Sequence, residues 1–159
     1  MCCRACARPS DGQTVTEHDT VPVQFGNAQV DGAPIGRWLL GHFVPPALGL
    51  RHTDDVEVKW SAYETGFGES EWTACQTATT IAILIAGKHR IEFPHRVFEL
   101  TTPGDYVIWG PGVPHRWRVL DDSTIVAVRW PSVAGDTSEV SDDAVSRFSK
   151  KHGERCGRD

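Results

Sequence analysis

The chain has 159 residues, 40% hydrophobic and 23% charged, which is the composition of a globular domain long enough to bury a core. Its formal net charge is -5 and its basic residues form no long run, which argues against a nucleic-acid-binding surface. The longest apolar run, IAILIAG, is too short to cross a bilayer and the N-terminus lacks the apolar segment of a signal peptide, so we expect a cytoplasmic protein that binds neither nucleic acid nor a membrane.

The first residues of the chain, 1–20, are polar and aperiodic, and they are predicted to form a disordered extension. Cys2, Cys3 and Cys6 lie in this extension, and the Cys3-x-x-Cys6 spacing is one that zinc and redox sites use. A tetrahedral zinc site needs two further ligands, and no second pair follows. Reduced thiols are therefore the favoured interpretation.

The middle of the chain, residues 21–134, is predicted to be a domain built of strands. Alternating and β-branched residues indicate strands at 56–63, 77–86, 89–93, 105–109, 115–120 and 123–130. Turn signals rich in Gly, Pro and Asp separate these strands, among them AGK, TTPGD, GPGVP and LDDS. Short strands with this punctuation favour an all-β sandwich or a jelly-roll barrel.

The last residues, 135–159, form a charged tail that is expected to be helical or disordered. Ser141 is suited to cap a helix whose first turn is acidic, and Lys150 and Lys151 suit its last turn. Gly153 is a natural helix end, so a short helix is predicted at 141–152.

Two stretches of the domain carry a regular spacing of glycines. Gly104 is followed by five residues, the turn 110–112 (Gly-Pro-Gly) and then His115. Gly68 and Gly87 frame an earlier stretch, and sixteen residues separate the two stretches. At these intervals the chain resembles a small single-domain cupin. The resemblance implies a cupin-type jelly-roll β-barrel, with the turn aiming His115 at the barrel mouth.

The resemblance also implies positions for metal ligands, and most of them are replaced. Ala74 and Gln76 stand where cupins carry two histidines, and Thr80 stands where they carry a glutamate. One imidazole, one amide and one hydroxyl bind a first-row metal poorly, so no metal or other cofactor is expected. If a divalent metal is bound, its expected ligands are His115, Gln76 and His89.

Truncation of these ligand positions leaves space in the barrel mouth for a small molecule. Strand alternation predicts that Gln76, Thr80, Ala74, Ala82 and Trp117 face this space, and His89 is a further candidate for ligand binding. His115 shares a face with Trp117 and is predicted to be a general acid or base with a pKa near working pH. The alternative is a buried histidine retained for packing.

Two further residues are candidates for binding the negative charge of a substrate. Arg129 and Tyr63 are predicted to hold an oxyanion or a carboxylate, although an outward-facing Arg129 is an equal alternative. Lys59 and Ser61 share the face of Tyr63 in their strand. Three polar residues on one face favour a solvated surface over a cavity wall.

Three functions follow from these patterns. The first is a metal-free or metal-poor isomerase, cyclase or lyase that acts on a small carbonyl- or phenol-bearing molecule, since cupins of this size resemble accessory proteins of natural-product and aromatic-compound pathways. The second is a metal-dependent oxygenase, and the third is a non-catalytic small-molecule-binding or sensor protein. A homodimer formed through an edge strand or a sheet face is a further expectation.

Overall fold

The structure is a computed structural model, and it describes residues 23–153. The predicted extension at 1–20, with Cys2, Cys3 and Cys6, lies outside the described residues, and so do residues 154–159. Within the described range, every helix is too short or too polar to cross a membrane.

The described residues form mainly β-strands. The two α-helices are α1 (Ala28–Gly32) and α2 (Asp142–Gly153), and the strands are β1 (Trp38–Leu40), β2 (Glu57–Tyr63), β3 (Thr73–Cys75), β4 (Thr79–Phe93), β5 (Arg96–Leu100), β6 (Tyr106–Trp109), β7 (Arg116–Trp130) and β8 (Thr137–Glu139). Short 3-10 helices at Ala33–Ile35 and Pro46–Arg51 flank β1. The predicted all-β class with a C-terminal helix is confirmed.

One antiparallel sheet positions the site. Its strands run in the order β1-β2-β7-β4-β5, and β6 also pairs with β4. The two fifteen-residue strands, β4 and β7, pair along most of their length; β6 lies on the first half of β4 and β5 on its second half. Two long strands that pair with different neighbours in their first and second halves are a feature of the jelly-roll topology that the sequence predicts. Strands β3 and β8 form a separate pair.

Two of the predicted turns do not end a strand. The segments 77–86 and 89–93 belong to the single strand β4, and 115–120 and 123–130 belong to β7. Register shifts between Leu84 and His89 mark a bulge around Gly87, which bends the strand without ending it. Strand β5 was not among the predicted strands, because four of its five residues are exposed and no alternation shows.

The bulge in β4 also changes which residues face the interior. The buried residues have even numbers before the bulge and odd numbers after it: Thr80, Ala82 and Leu84, then His89, Ile91 and Phe93. One extra residue in a strand shifts the side-chain alternation by one position. His89 therefore points to the same side of the sheet as Thr80. The apolar members of this set pack with Leu100, Val107 and Ile125 into one core.

Helix α2 lies beside the turn between β4 and β5. Ser141 Oγ accepts a hydrogen bond from the Ala144 N–H at 3.4 Å, as an N-cap does. Val145 is buried, and Ser149 Oγ donates to the Pro94 carbonyl at 3.4 Å. The tail up to Gly153 is therefore docked as a helix at the turn between β4 and β5.

Candidate functional site

A cavity of about 80 Å³ opens on the inner face of the main sheet, between strands β1, β2, β4, β6 and β7. Its aromatic walls are Trp38, Tyr63, Trp109 and Trp117. Its polar side chains are Lys59, Ser61, Glu69, Thr80, His89, His115 and Arg129. The mixture of aromatic surface with a few converging polar groups is typical of a small-molecule site, and the volume limits the occupant to a small molecule.

The cavity brings together most of the residues predicted from the sequence. They are His115, Arg129, Tyr63, Thr80, Ala82, Trp117 and His89. The predicted set of catalytic residues therefore lies around one space, while their roles stay predictions.

Two predicted ligand-binding residues, Gln76 and Ala74, do not line the cavity. Gln76 is exposed and its Nε2 donates to Ser138 Oγ at 3.0 Å, while Ala74 is buried within β3. The prediction that they face inward with Thr80 is wrong. It assumed one continuous strand alternation from residue 74 to 82, but the strand is interrupted between β3 and β4.

An aspartate from a distant part of the chain causes this break. The Asp136 carboxylate accepts the N–H of Thr77 at 2.8 Å and the N–H of Ala78 at 3.0 Å. These two donors cannot then continue a strand ladder, so the alternation restarts at Thr79. Fifty-eight or fifty-nine residues separate the partners.

His115 is held by its backbone at the edge of the cavity. Its N–H and C=O exchange hydrogen bonds of 2.9 Å with Thr73, and the preceding turn is fixed by a 2.7 Å bond from Gly112 N to the Cys75 carbonyl. The imidazole ring lies 4.7 Å from the Trp109 ring, centroid to centroid. Its Nδ1 lies 3.2 Å from the Val113 carbonyl. Since a carbonyl oxygen only accepts, Nδ1 donates in this bond, and the lone pair of the neutral ring is on Nε2.

Burial is the main cause that lowers the pKa of His115 to about 4; the hydrogen bond to the Val113 carbonyl acts in the opposite direction, and the positive charge of Arg129 adds to the lowering. The predicted pKa near working pH is therefore wrong. At pH 7 the neutral ring carries one proton, on Nδ1, and can accept a second on Nε2, but it is not the imidazolium that a general acid needs.

The second histidine of the cavity, His89, is also neutral at pH 7. Burial lowers its pKa to about 4. Its ring stacks on Trp117 with centroids 5.1 Å apart, and its Nδ1 lies 3.1 Å from Ser123 Oγ. His89 thus contributes a second uncharged imidazole to the cavity wall.

Three neighbouring residues of the cavity carry buried polar atoms without a hydrogen-bond partner. Thr80 in β4 pairs with Trp109 of β6 on one side and with Arg129 of β7 on the other. Within residues 23–153, the buried side-chain nitrogen and oxygen atoms that lack a partner are Thr80 Oγ1, Trp109 Nε1 and Arg129 Nε. Leaving such an atom unpaired costs about 1–3 kcal/mol. We name these three residues the polar row.

The inward face of β2 supplies the other polar groups. Lys59, Ser61 and Tyr63 line the cavity, so the interpretation of this face as solvated surface is wrong. The reason is that side chains of β1, β4, β6 and β7 line the same cavity and enclose this face. Arg129 is not outward-facing either: its Nη1 lies 3.8 Å from Glu57 Oε2 and 3.1 Å from Thr137 Oγ1.

Sequence reasoning did not select Trp38, Trp109 or Glu69 as site residues, although they line the cavity. Trp38 lies in a region where no strand is predicted. Lys59 and Ser61 could have been found, since they alternate with Tyr63 and must share its face.

A divalent metal does not fit the donor atoms of this cavity. In the part of the chain that the structure describes, no three His, Cys, Asp or Glu side chains lie close enough to hold a metal ion. Of the three ligands predicted for a metal, Gln76 points to β8 and only His89 and His115 line the cavity. The lining also contains the carboxylate of Glu69, but this exposed side chain does not lie close enough to both imidazoles to complete a first-row metal site with them.

Comparisons with known proteins find similarity at the level of structure only. No family model matches the sequence, and no curated protein matches it. The chain is similar to the structure of KdgF from Halomonas sp., with 19% identity over 52% of this chain and 74% of that chain and a TM-score of 0.48. An uncharacterised protein with a double-stranded β-helix domain from Klebsiella pneumoniae gives 20% identity over 57% and 78%, with a TM-score of 0.49.

A third similar structure is that of Pac13 from Streptomyces, described as a nucleoside dehydratase. It has 11% identity over 55% of this chain and 70% of that chain, with a TM-score of 0.49. Proteins described as cupins are also among the similar structures. At these identities and TM-scores, the similarities assign no role to any residue of this chain.

Proposed function

We propose that this chain binds a small carbonyl- or phenol-bearing molecule in the cavity and that His115 moves a proton of the bound molecule. The observation that carries the proposal is the polar row. Its three unpaired polar atoms lie side by side on the cavity wall, next to the imidazole of His115.

The chemistry of the polar row selects the kind of group that is bound. Trp109 Nε1–H and Arg129 Nε–H are donors only, and the Thr80 hydroxyl can donate or accept. A partner for all three is an acceptor, such as a carbonyl or phenolate oxygen. Donors fixed in a buried site stabilise an oxygen on which negative charge develops, and one such donor contributes about 10²–10³ to a rate.

The ring of His115 is neutral at pH 7, so its Nε2 lone pair can take a proton from a carbon next to such a carbonyl. Its lowered pKa makes it a weaker base than a free imidazole, and the negative charge that develops on the bound molecule offsets this by attracting the imidazolium. The Nε2 lone pair forms the new N–H bond, the C–H electron pair becomes the C=C bond of an enolate, and the carbonyl oxygen takes the negative charge beside the polar row. The imidazolium so formed is buried and close to Arg129, so it is a strong acid. It returns the proton to the same carbon, which is a proton-exchange reaction, or to the enolate oxygen, which gives the enol isomer.

The non-catalytic alternative shares the same cavity. A binding or sensor protein would use the polar row to hold its ligand and would need no proton transfer. The experiments below separate the two functions, because the first measures binding and the second measures turnover.

Replacing Thr80 by valine should have opposite effects on stability and on binding. Valine removes the unpaired hydroxyl at nearly constant volume, so the free energy of unfolding without ligand should stay the same or rise by about 1 kcal/mol. Loss of one hydrogen bond should weaken binding of pyruvate, phenylpyruvate or 4-hydroxybenzoate about tenfold. Urea denaturation and isothermal titration calorimetry measure the two effects.

Thr79→Val is the matched control, since Thr79 is adjacent in β4 and belongs to the opposite face. It should leave binding unchanged. If Thr80→Val lowers the stability of the free protein and leaves binding intact, the hydroxyl already has a partner and the polar row is not a binding surface.

Replacing His115 by glutamine should slow proton transfer at least about 100-fold, the usual contribution of a general base. The measurement is the exchange of the benzylic hydrogens of phenylpyruvate in D₂O, followed by NMR with and without protein. His95→Gln, in an exposed residue at the turn between β4 and β5, should keep the wild-type rate. If phenylpyruvate binds but the wild-type protein does not accelerate exchange, the non-catalytic function holds in place of the enzyme.

A further inference from the structure

We infer that the molecule bound in this cavity is an anion, whose carboxylate is held by Lys59 and Arg129 beside Trp38 and whose apolar part lies against Ala82 and Ala127. The inference rests on the proposed function, because it concerns the same cavity, and it adds the charge and shape of the ligand. Its evidence is the distribution of charge and aromatic surface along the cavity.

Two cations meet at one end of the cavity. Lys59 Nζ lies 5.2 Å from the centroid of the Trp38 ring, and Arg129 Cζ lies 4.9 Å from it. In the register of β2 and β7, Lys59 is opposite Ala127. Arg129 is therefore the diagonal neighbour of Lys59, with about 7–8 Å between the two Cα atoms. A carboxylate between them can accept a hydrogen bond from each.

The positive charge at this end is not balanced by the protein. Arg129 has a partial counter-charge in Glu57, whose Oε2 is 3.8 Å from its Nη1. Lys59 makes no ion pair with any residue of 23–153; its contact there is the Trp38 ring. The remaining carboxylate of the lining, Glu69, is exposed and lies next to Trp117. One anion beside Lys59 would therefore neutralise this end of the cavity.

This arrangement runs against the charge of the whole chain. The protein carries 21 acidic and 16 basic residues, so its overall field repels anions. Two cations lining one small cavity, with a single exposed carboxylate in the same lining, are a local exception to that field. A solvated surface would not concentrate them on Trp38.

The other end of the cavity is closed by a cluster of rings. Tyr63 and Trp117 lie 4.7 Å apart, Phe67 stacks on Tyr63 at 5.1 Å, and His89 stacks on Trp117 at 5.1 Å. Lys59 and Tyr63 lie four residues apart on the inward face of β2, so about 13 Å of strand separates them. A small ligand whose carboxylate contacts Lys59 therefore ends before this cluster and places its apolar part against the lining residues Ala82 and Ala127.

The test compares two probes of equal shape and different charge, phenylacetate and phenylacetamide. Titration at pH 7 and low ionic strength should give at least tenfold tighter binding of the acid. Lys59→Met keeps much of the side-chain length without the charge. It should remove the preference by weakening phenylacetate about tenfold and leaving phenylacetamide unchanged, while Lys88→Met, in an exposed residue at the bulge of β4, should change neither affinity.

Each outcome decides a different point. Equal binding of acid and amide would overturn the anion inference and leave the proposed function standing, whereas Thr80→Val tests the proposed function independently of charge. Equal weakening of both probes by Lys59→Met would show that the lysine acts by packing and would also overturn it. If acetate binds as tightly as phenylacetate, the apolar part of the ligand makes no favourable contact in the cavity, and that half of the inference is wrong.

Discussion

Gly87→Ala is expected to destabilise the protein by more than about 4 kcal/mol, which exceeds the usual effect of a point mutation. Gly87 has a φ of 80°, where side chains other than glycine are strained. A Cβ at this position would also overlap the Asp122 carbonyl oxygen and lie 2.6 Å from Ser123 Cα. Because both contacts are with the backbone of β7, the strand pair must separate to admit the methyl group.

Gly104→Ala is the matched control for the clash. Gly104 also has a positive φ, of 96°, but a Cβ there meets nothing within 4 Å. It should cost only the backbone strain, about 1–2 kcal/mol. Urea denaturation of both variants measures the difference between their free energies of unfolding. If Gly87→Ala is insoluble while Gly104→Ala folds, the result also supports the clash. Equal losses in the two variants would mean that β4 and β7 are not in close contact at the bulge.

The second large effect is a loss of stability in mild acid. His89 and His115 are buried with pKa values lowered from 6.5 to about 4, so both are neutral in the folded protein between these pH values. In the unfolded chain they bind protons as the pH falls below 6.5. The unfolded state then binds more protons than the folded state, so the free energy of unfolding decreases as the pH decreases.

The size of the acid effect follows from the shifts. Each histidine should lower the free energy of unfolding by up to about 1.4 kcal/mol per pH unit, and by about 3 kcal/mol at pH 4. Denaturation curves at pH 7, 6, 5 and 4.5 measure this slope. His115→Gln and His89→Gln should each remove about half of it.

Three aspartates with lowered pKa values change the stability in a lower pH range than the histidines, so their titration does not contribute to this slope. Asp105, Asp122 and Asp136 have pKa values lowered below 3.8 by hydrogen bonds that they accept. Their contribution to stability is present above 3.8 and is lost only as the pH falls through the lower folded values. A pH-independent stability between 6.5 and 4.5 would show that the two histidines are hydrated in the folded protein.

Much of the fold could be predicted from spacing and alternation. The alternation in 105–109, 115–120 and 123–130 identified β6 and most of β7, and the interval from Gly104 to His115 identified the turn that carries the histidine to the cavity. Spacing of this kind is a property of neighbours in the chain, and turns and strands depend mainly on neighbours. The N-terminal part was not predicted, because β1 has three residues and shows no alternation.

The site depended on contacts between residues far apart in sequence. Alternation groups Lys59, Ser61 and Tyr63 on one face, but only the side chains that the other strands bring to the same cavity decide that the face is enclosed. Asp136 breaks the strand after Gln76 by binding two N–H groups almost sixty residues away. In both cases the alternation along the strand is correct locally. Residues far away in the sequence decide whether the face is enclosed and where the strand is interrupted.

The sequence by itself determined an all-β chain and a turn that carries His115 to the cavity. Only the tertiary structure decided that the bulge at Gly87 turns His89 inward and that Thr80, Trp109 and Arg129 stand in one row. It also decided that His115 is neutral, since burial sets its pKa. The physical reason is that residue order fixes which side chains share a face, whereas enclosure and strand register are properties of the packed sheet.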